Sequence, residues 1–352
     1  MFSSRLKNLV PYVPGEQPQD RKYIKLNTNE NPYPPTPRIG QFLNRFDAER
    51  LRLYPDPLFL SLREKIAGRY GITKDQVFVG NGSDEVLAFS FYAFFDSEKG
   101  NLLFPEFTYS FYPVYCDLFD ISYTKVPLAH DFNIDIAKIM DAGKSCGAIF
   151  PNPNAPTGML LPLEHIKSLL AGYDENNVVL VDEAYIDFGG ESAVSLIDQY
   201  KNLIVVRTLS KSMSLAGIRI GFAMGNPGLI QALFAVKDSF NSYPANVLSQ
   251  EIAQIAFSDA DYYNAVVEKI INTRTVLSKE LKQIGWDVLP SSANFVFARK
   301  TGFKGKEIYL KLKERGILVR HFSTPGIDEF VRITIGTDQD TTVLVKEMQS
   351  CF

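Results

Sequence analysis

Thr208-Leu209-Ser210-Lys211-Ser212-Met213-Ser214-Leu215-Ala216-Gly217-Ile218-Arg219-Ile220-Gly221 decides how this 352-residue chain is read. A strand-like run, Leu203-Ile204-Val205-Val206, precedes it. A strand end followed by small hydroxyl residues is a loop at the carboxyl edge of a sheet, where open α/β folds bind ligands. A lysine in a Ser/Thr-rich loop is ordinarily a solvated cation, but at a sheet edge it can form a Schiff base with an aldehyde. Ser210 and Ser212 can donate hydrogen bonds to a phosphate. Arg219, eight positions beyond Lys211, can pair with the same group bidentately. Gly217 and Gly221, on either side of it, allow close backbone approach.

The residues upstream extend this reading. Asp182 ends the apolar run Val178-Val179-Leu180-Val181, so it belongs at the same sheet edge, largely buried. It reads either as a helix cap or as the carboxylate that keeps a pyridine nitrogen protonated. Tyr185, three residues on, can bond a ring hydroxyl or be a satisfied core tyrosine. Gly80-Asn81-Gly82-Ser83-Asp84-Glu85 follows a strand and opens a helix. Such turns bind phosphate through free N–H groups and the helix dipole, although Ser83 also reads as a plain N-cap. Pro151-Asn152-Pro153-Asn154-Ala155-Pro156-Thr157-Gly158 follows another strand and is either a stiff turn or a mount for an asparagine amide. Tyr109, read as opening an aromatic-rich helix over 108–119, can stack on a flat ring or belong to the core. An amine, a phosphate clamp and a counter-ion for a pyridine nitrogen are what pyridoxal phosphate requires of a protein.

Composition and pattern bound the rest. The chain is 45% hydrophobic and 22% charged, enough for a full core. A net charge of -3 gives no reason to expect nucleic acid or an anionic membrane as partner. No apolar run approaches the roughly 18 residues of a membrane span. Residues 1–8 contain no apolar leader core. Cys116, Cys146 and Cys351 are far apart, which fits a reducing cytoplasm better than a disulfide framework. His130, His165 and His321 have no metal-ligand spacing, and no metal is expected.

The first stretch, with Pro11, Pro14, Pro18, Pro32, Pro34, Pro35 and Pro37, reads as an extended arm. Helices are expected over 58–70 and 83–95. Near-continuous apolar strands are expected at 76–79, 101–104, 121–126, 147–150, 178–181, 203–206 and 218–224. They imply a mostly parallel sheet covered on both faces. A helical stretch over 246–284, broken near Ser258-Asp259, leads into a mixed tail. The expected organisation is α/β. Residues 30–245 form a large ligand-binding domain, and residues 1–29 and 246–352 form an arm and a small α+β domain.

These residues in this order resemble the fold-type I, aspartate-aminotransferase-like pyridoxal-phosphate enzymes. Within that superfamily they are similar to the histidinol-phosphate aminotransferase branch of the class II aminotransferases. The resemblance covers nearly the whole chain. It rests on Leu9-Val10-Pro11-Tyr12, Leu26-Asn27-Thr28-Asn29-Glu30-Asn31-Pro32, Tyr54-Pro55-Asp56-Pro57, Asp182-Glu183-Ala184-Tyr185, the Lys211 block and Arg332-Ile333-Thr334-Ile335-Gly336-Thr337. It implies transamination of L-histidinol phosphate with 2-oxoglutarate. Aromatic amino-acid aminotransferases and threonine-phosphate decarboxylases stand close by.

The resemblance also implies residue roles. Lys211 is the Schiff-base lysine, Asp182 pairs with the pyridinium, Tyr185 with the 3-oxygen, and Tyr109 stacks on the ring. Gly82, Ser83, Asp84, Thr208, Ser210 and Arg219 surround the cofactor phosphate. Tyr54 reaches that phosphate from the neighbouring subunit of a homodimer. Tyr12, Asn29, Tyr54, Arg320 and Arg332 face the substrate. The family pattern has asparagine directly before Pro-Thr-Gly. Here Ala155 stands there, and the amide role passes to Asn154. The family's Arg-Tyr-Pro-Asp reads Arg52-Leu53-Tyr54-Pro55-Asp56. The segment Pro105-Glu106-Phe107-Thr108-Tyr109 is one residue longer than usual, so Phe107 competes with Tyr109 as the stacking ring.

Overall fold

The computed structural model describes Phe2, Leu6 and residues 9–352. The absence of an apolar leader core over residues 1–8 therefore concerns positions mostly outside the described residues, as does the first part of the 1–29 arm.

Seven strands form the main sheet, in the spatial order Val77–Gly80, Gly221–Gly225, Leu203–Thr208, Val178–Asp182, Ser145–Pro151, Asn101–Pro105, Tyr123–Val126. Gly221–Gly225 runs antiparallel to both neighbours, and the other pairings are parallel. Every residue of Val178–Asp182 and Leu203–Thr208 is buried. Two apolar layers, one on each face, account for that, and for the lack of polar alternation in these strands.

The topology positions the site. The parallel strands bring Gly80, Pro105, Pro151, Asp182 and Thr208 to one edge at their carboxyl ends. The single antiparallel strand starts at that edge, which puts Arg219 and Gly221 beside them. Arg219 has a left-handed φ of 55°, which ends extended structure and shortens the strand expected over 218–224. Gly221 is required there: a Cβ would lie 2.3 Å from the Ser83 backbone nitrogen.

A second sheet is antiparallel, in the order Arg320–His321, Phe330–Thr334, Phe295–Arg299, Asp287–Val288. It packs with the helices Ala260–Gln283, Gly305–Glu314 and Asp338–Cys351 around its own core. From the N-terminal arm, Ile24–Lys25 pairs in parallel with Ile317–Leu318.

Some local expectations need correction. Pro37 is not in an extended arm but opens the helix Pro37–Leu43, because a helix has no use for an N–H in its first turn. The aromatic helix starts at Phe111, so Tyr109 lies in the loop before it. A helix over Pro227–Phe240 was not foreseen; Asn226 caps it through Gly228 N–H and Pro227 starts it. The break near Ser258 is present, between the helices Val247–Phe257 and Ala260–Gln283. Among the described residues no helix is long and apolar enough to cross a membrane.

Candidate active site

A cavity of about 280 Å³ opens at the shared sheet edge, and Lys211 lines it. Lys211 Nζ has a single long contact, 3.4 Å to the Thr28 carbonyl, and lies 5.8 Å from the Tyr185 ring centre. Among the described residues the amine has no carboxylate partner. Its loop is pinned from outside the cavity. Asn31 Nδ2 donates to the Lys211 carbonyl at 3.0 Å, and Leu215 N–H to Leu209 at 3.1 Å. Ser212 does not face a phosphate as the sequence suggested. Its buried hydroxyl donates to Asp187, which also receives Arg207. Arg207 is itself buried, 3.8 Å from Glu183 and over the Tyr70 ring. Within this network burial pushes the Glu183 carboxyl up to about 7.

Asp182 lines the cavity with a carboxyl group that is almost fully buried. Burial pushes its pKa up to about 6, against the opposing Ala184 N–H and the Tyr112 hydroxyl, each 3.1 Å away. Among the described residues no cation forms an ion pair with it. A buried carboxylate needs a compensating charge. A protonated ring nitrogen would meet that need.

The far end of the cavity is suited to an anion. Gly82 opens the helix Gly82–Phe94 with a φ of 82°. A Cβ on Gly82 would lie 2.5 Å from the Arg219 guanidinium, so glycine lets the helix N-terminus and this cation converge. Ser83, Thr208 and Ser210 line the same end, and Thr208 Oγ1 lies 3.0 Å from Ser210 Oγ. Arg219 pairs with Asp84 at 3.1 Å in this half-exposed setting, leaving guanidinium hydrogens to spare. These residues fit a phosphate monoester, and Lys211 and Asp182 fit an aldehyde on a pyridine ring. The donor set suits pyridoxal phosphate.

Arg320, Arg332, Tyr12 and Asn29 also line the cavity. Arg320 sits directly across from Arg332 in the antiparallel register, which is why two strands deliver both guanidiniums to one place. Arg320 reaches the Val13 and Pro14 carbonyls only at 3.4 Å, and Arg332 donates to Asn27 at 3.2 Å while its Nε has no partner. Among the described residues neither forms an ion pair.

Three expected residues do not line this cavity: Gly82, which opens the helix beside it, Asn154 and Tyr54. Asn154 is fully buried beneath it, and its NH₂ group is used on the Phe107 carbonyl at 3.0 Å and on Thr157 Oγ1 at 3.1 Å. Ala155, not Asn154, reaches the lining. Tyr54 is 82% exposed and stacks on Tyr243, away from its own chain's cavity. Tyr109 lines the cavity and bonds Asp84 at 3.0 Å, whereas Phe107 packs against Gly326 and Phe132. Sequence reading passed over Tyr112, Asn31, Thr334 and the Asp187–Arg207 pair. Tyr112 stands in the aromatic run that follows Tyr109, and Asn31 and Thr334 lie inside the quoted motifs without a role of their own; the Asp187–Arg207 pair has no local signal.

A sheet-edge lysine, a buried strand-end carboxylate and a helix-opening anion cradle define a pyridoxal-phosphate type of site. The family model for aminotransferase class I and II matches residues 21–348, and the chain belongs to that family. It is 58% identical to the histidinol-phosphate aminotransferase of Syntrophus aciditrophicus (strain SB), over 100% of this chain and 98% of that one. It is 50% identical to the histidinol-phosphate aminotransferase of Clostridium acetobutylicum, over 100% and 99%. Its fold superposes on a crystal structure of histidinol-phosphate aminotransferase from Sinorhizobium meliloti in complex with pyridoxal-5'-phosphate. That match has a TM-score of 0.89 and 22% identity, and covers 99% of this chain and 96% of the other.

Proposed function

We propose that this chain is a pyridoxal-phosphate-dependent aminotransferase of L-histidine biosynthesis. It moves the amino group of L-histidinol phosphate to 2-oxoglutarate, yielding imidazole-acetol phosphate and glutamate. One observation carries the reading: Lys211, Asp182 and the anion cradle open on the same cavity as Arg320 and Arg332, which form no ion pair among the described residues. Two adjacent unpaired guanidiniums suit a phosphate dianion better than the single carboxylate of an aromatic amino acid. The 58% identity along the whole chain supports the same substrate.

When bound, the cofactor supplies the electron sink that makes the substrate C–H bond acidic. Lys211 Nζ would hold the cofactor aldehyde and, when free, would move a proton at the substrate carbon. Asp182 keeps the ring nitrogen charged. Gly82, Ser83, Asp84, Thr208, Ser210 and Arg219 hold the phosphate end, and Tyr109 covers the ring. Arg320 and Arg332 orient the substrate through its own phosphate, helped by Tyr12. Arg332 also binds the carboxylate of glutamate in the second half of the cycle.

The working unit is a cytoplasmic homodimer. An exposed Tyr54 that does not reach its own cavity supports a role across the interface. So does an apolar groove of about 890 Å³ that includes Phe89, Tyr92, Leu118 and Phe240. Residues 30–245 act as the cofactor-binding domain, and the arm with residues 246–352 as the smaller one.

The test is keto-acid-dependent turnover measured on histidinol phosphate, phenylalanine and threonine phosphate. Preference for histidinol phosphate is expected. Preference for phenylalanine would make the protein an aromatic amino-acid aminotransferase. Carbon dioxide release from threonine phosphate would make it a decarboxylase.

A further inference from the structure

Asn29 links the two parts of the molecule through the cavity wall. Its backbone has a left-handed φ of 54°, a region asparagine enters more readily than most residues. Its peptide N–H donates to Thr334 Oγ1 at 3.0 Å, so that oxygen acts as acceptor and keeps its own hydrogen to give. The hydrogen goes to Asn29 Oδ1, also at 3.0 Å. The amide is thereby oriented: its oxygen faces Thr334 and its nitrogen faces Tyr185 Oη, 3.0 Å away. Asn294 Nδ2 donates to the Asn29 carbonyl at 3.0 Å and anchors the turn. Asn29 and Thr334 are both buried.

The polarity of this chain of bonds has a consequence for Tyr185. An amide nitrogen offers only hydrogens. Tyr185 Oη must accept from it, and its own hydrogen is left for another partner. Among the described residues Tyr185 Oη has no second partner, and Tyr185 lines the cavity. Meanwhile the position before Pro156-Thr157-Gly158 is Ala155, which cannot hydrogen-bond through its side chain, and the NH₂ group of the neighbouring Asn154, the only part of that amide able to donate, is already given to Phe107 and Thr157.

We propose that Asn29 and Thr334 are positioning residues that hold Tyr185 as a hydrogen-bond donor toward the ring oxygen of the cofactor, the role for which Ala155 supplies no amide. This rests on the pyridoxal-phosphate reading of the cavity. A donor to that oxygen favours its anionic form and competes for the electrons that otherwise retain the proton on the nitrogen shared with Lys211. The relay therefore keeps the pKa of that nitrogen low, and breaking the relay raises it.

The experiment is a pH titration of the visible absorbance of the pyridoxal-phosphate-loaded protein. It compares wild type with Asn29→Ala, Thr334→Val, Thr334→Ser and Tyr185→Phe, and with each of the first two combined with Tyr185→Phe. Thr334→Val keeps the shape and β-branching of the residue, so it tests the relay even if Asn29→Ala does not fold. Asn29→Ala and Thr334→Val are expected to raise the pKa by about half a unit to one unit. Thr334→Ser should restore it, and neither change should add to the shift of Tyr185→Phe. An unmoved pKa in folded Thr334→Val overturns the relay, as does a shift that persists undiminished with Tyr185→Phe. Wild type that takes up no pyridoxal phosphate overturns the cofactor reading as well. Yellow wild type with unmoved variants overturns the relay alone.

Discussion

Tyr112 Oη donates to Asp182 Oδ2 across 3.1 Å, and Tyr112 is fully buried. The bond satisfies two groups at once: a phenol with no access to water and a carboxylate that forms no ion pair among the described residues. It opposes the burial that drives Asp182 toward protonation. Tyr112→Phe removes one hydroxyl and leaves the ring packing in place. It should raise the Asp182 pKa further and weaken pyridoxal-phosphate uptake by about tenfold, since hydrogen bonds to charged groups are the stronger ones. Equilibrium dialysis checks this; unchanged affinity would mean that Asp182 does not depend on Tyr112.

Cofactor binding should depend on pH through Asp182. In the cofactor-free protein its pKa is raised from 3.8 to about 6. Below about 6 the carboxyl carries a proton that must leave before it can face a cation. Affinity should therefore rise as pH increases from 5 toward 7 and level off above. Asp182→Asn should bind more weakly and lose this slope, along with most of kcat. A slope that survives in Asp182→Asn would assign the titration elsewhere.

The cofactor-free protein itself should lose stability over part of this range. Asp182 and Glu183 both have raised folded pKa values, about 6 and about 7. The unfolded chain releases these protons at lower pH, so each group disfavours folding increasingly as pH climbs through that window. Thermal melts of Glu183→Gln should show a shallower fall between pH 5 and 7 than wild type. Equal slopes would contradict the assignment.

Arg320 and Arg332 should separate by substrate. Arg320→Ala should lower kcat/KM for histidinol phosphate by about ten- to a hundredfold, the loss of one charge-assisted contact, and should affect glutamate less. Arg332→Ala should damage both half-reactions. Single-turnover absorbance changes with each amino donor measure this, and equal losses for Arg320→Ala with both donors would exclude a phosphate-specific role.

Ser212 and Asn154 should differ in kind. Ser212→Ala cuts the tether between the lysine loop and Asp187, so kcat should fall by about tenfold with little change in KM, the result of a misplaced amine. Asn154→Ala should leave the absorbance spectrum unchanged and cost about 1–2 kcal/mol of stability, because its bonds to Phe107 and Thr157 hold a loop. A spectral change in Asn154→Ala would return that residue to the cofactor.

Much of the site is legible in local patterns. Asp182 could be read as the end of a buried strand because four apolar residues precede it without alternation, and strand 178–182 is buried throughout. Gly82 and Ser83 could be read as a helix opening because glycine permits the positive-φ turn and Asp84 and Glu85 complement the dipole of the first turn, although the cap position falls on Asn81 and not on Ser83. Ser212 was misread for the same reason. Its neighbours suggested a phosphate, but nothing within the loop discloses a carboxylate at Asp187, 25 positions upstream. Asn154 stands one residue before Ala155, and the fold turns its NH₂ group to Phe107 and Thr157, which no local pattern discloses.

The amino-acid sequence by itself determined the sheet-forming segments, the lysine loop, the helix-opening cradle and membership of an aminotransferase family. These depend on periodicity, turn chemistry and residue order, which act between neighbours along the chain. Only the tertiary structure decided that Arg320 meets Arg332, that Tyr112 bonds Asp182 from 70 positions away, and that Asn29 bonds Tyr185 from 156. Such pairs are set by strand register and by the packing of two sheets against a shared cavity. A hydrogen bond needs its partners within about 3 Å. No local pattern specifies which distant side chain packing will bring that close.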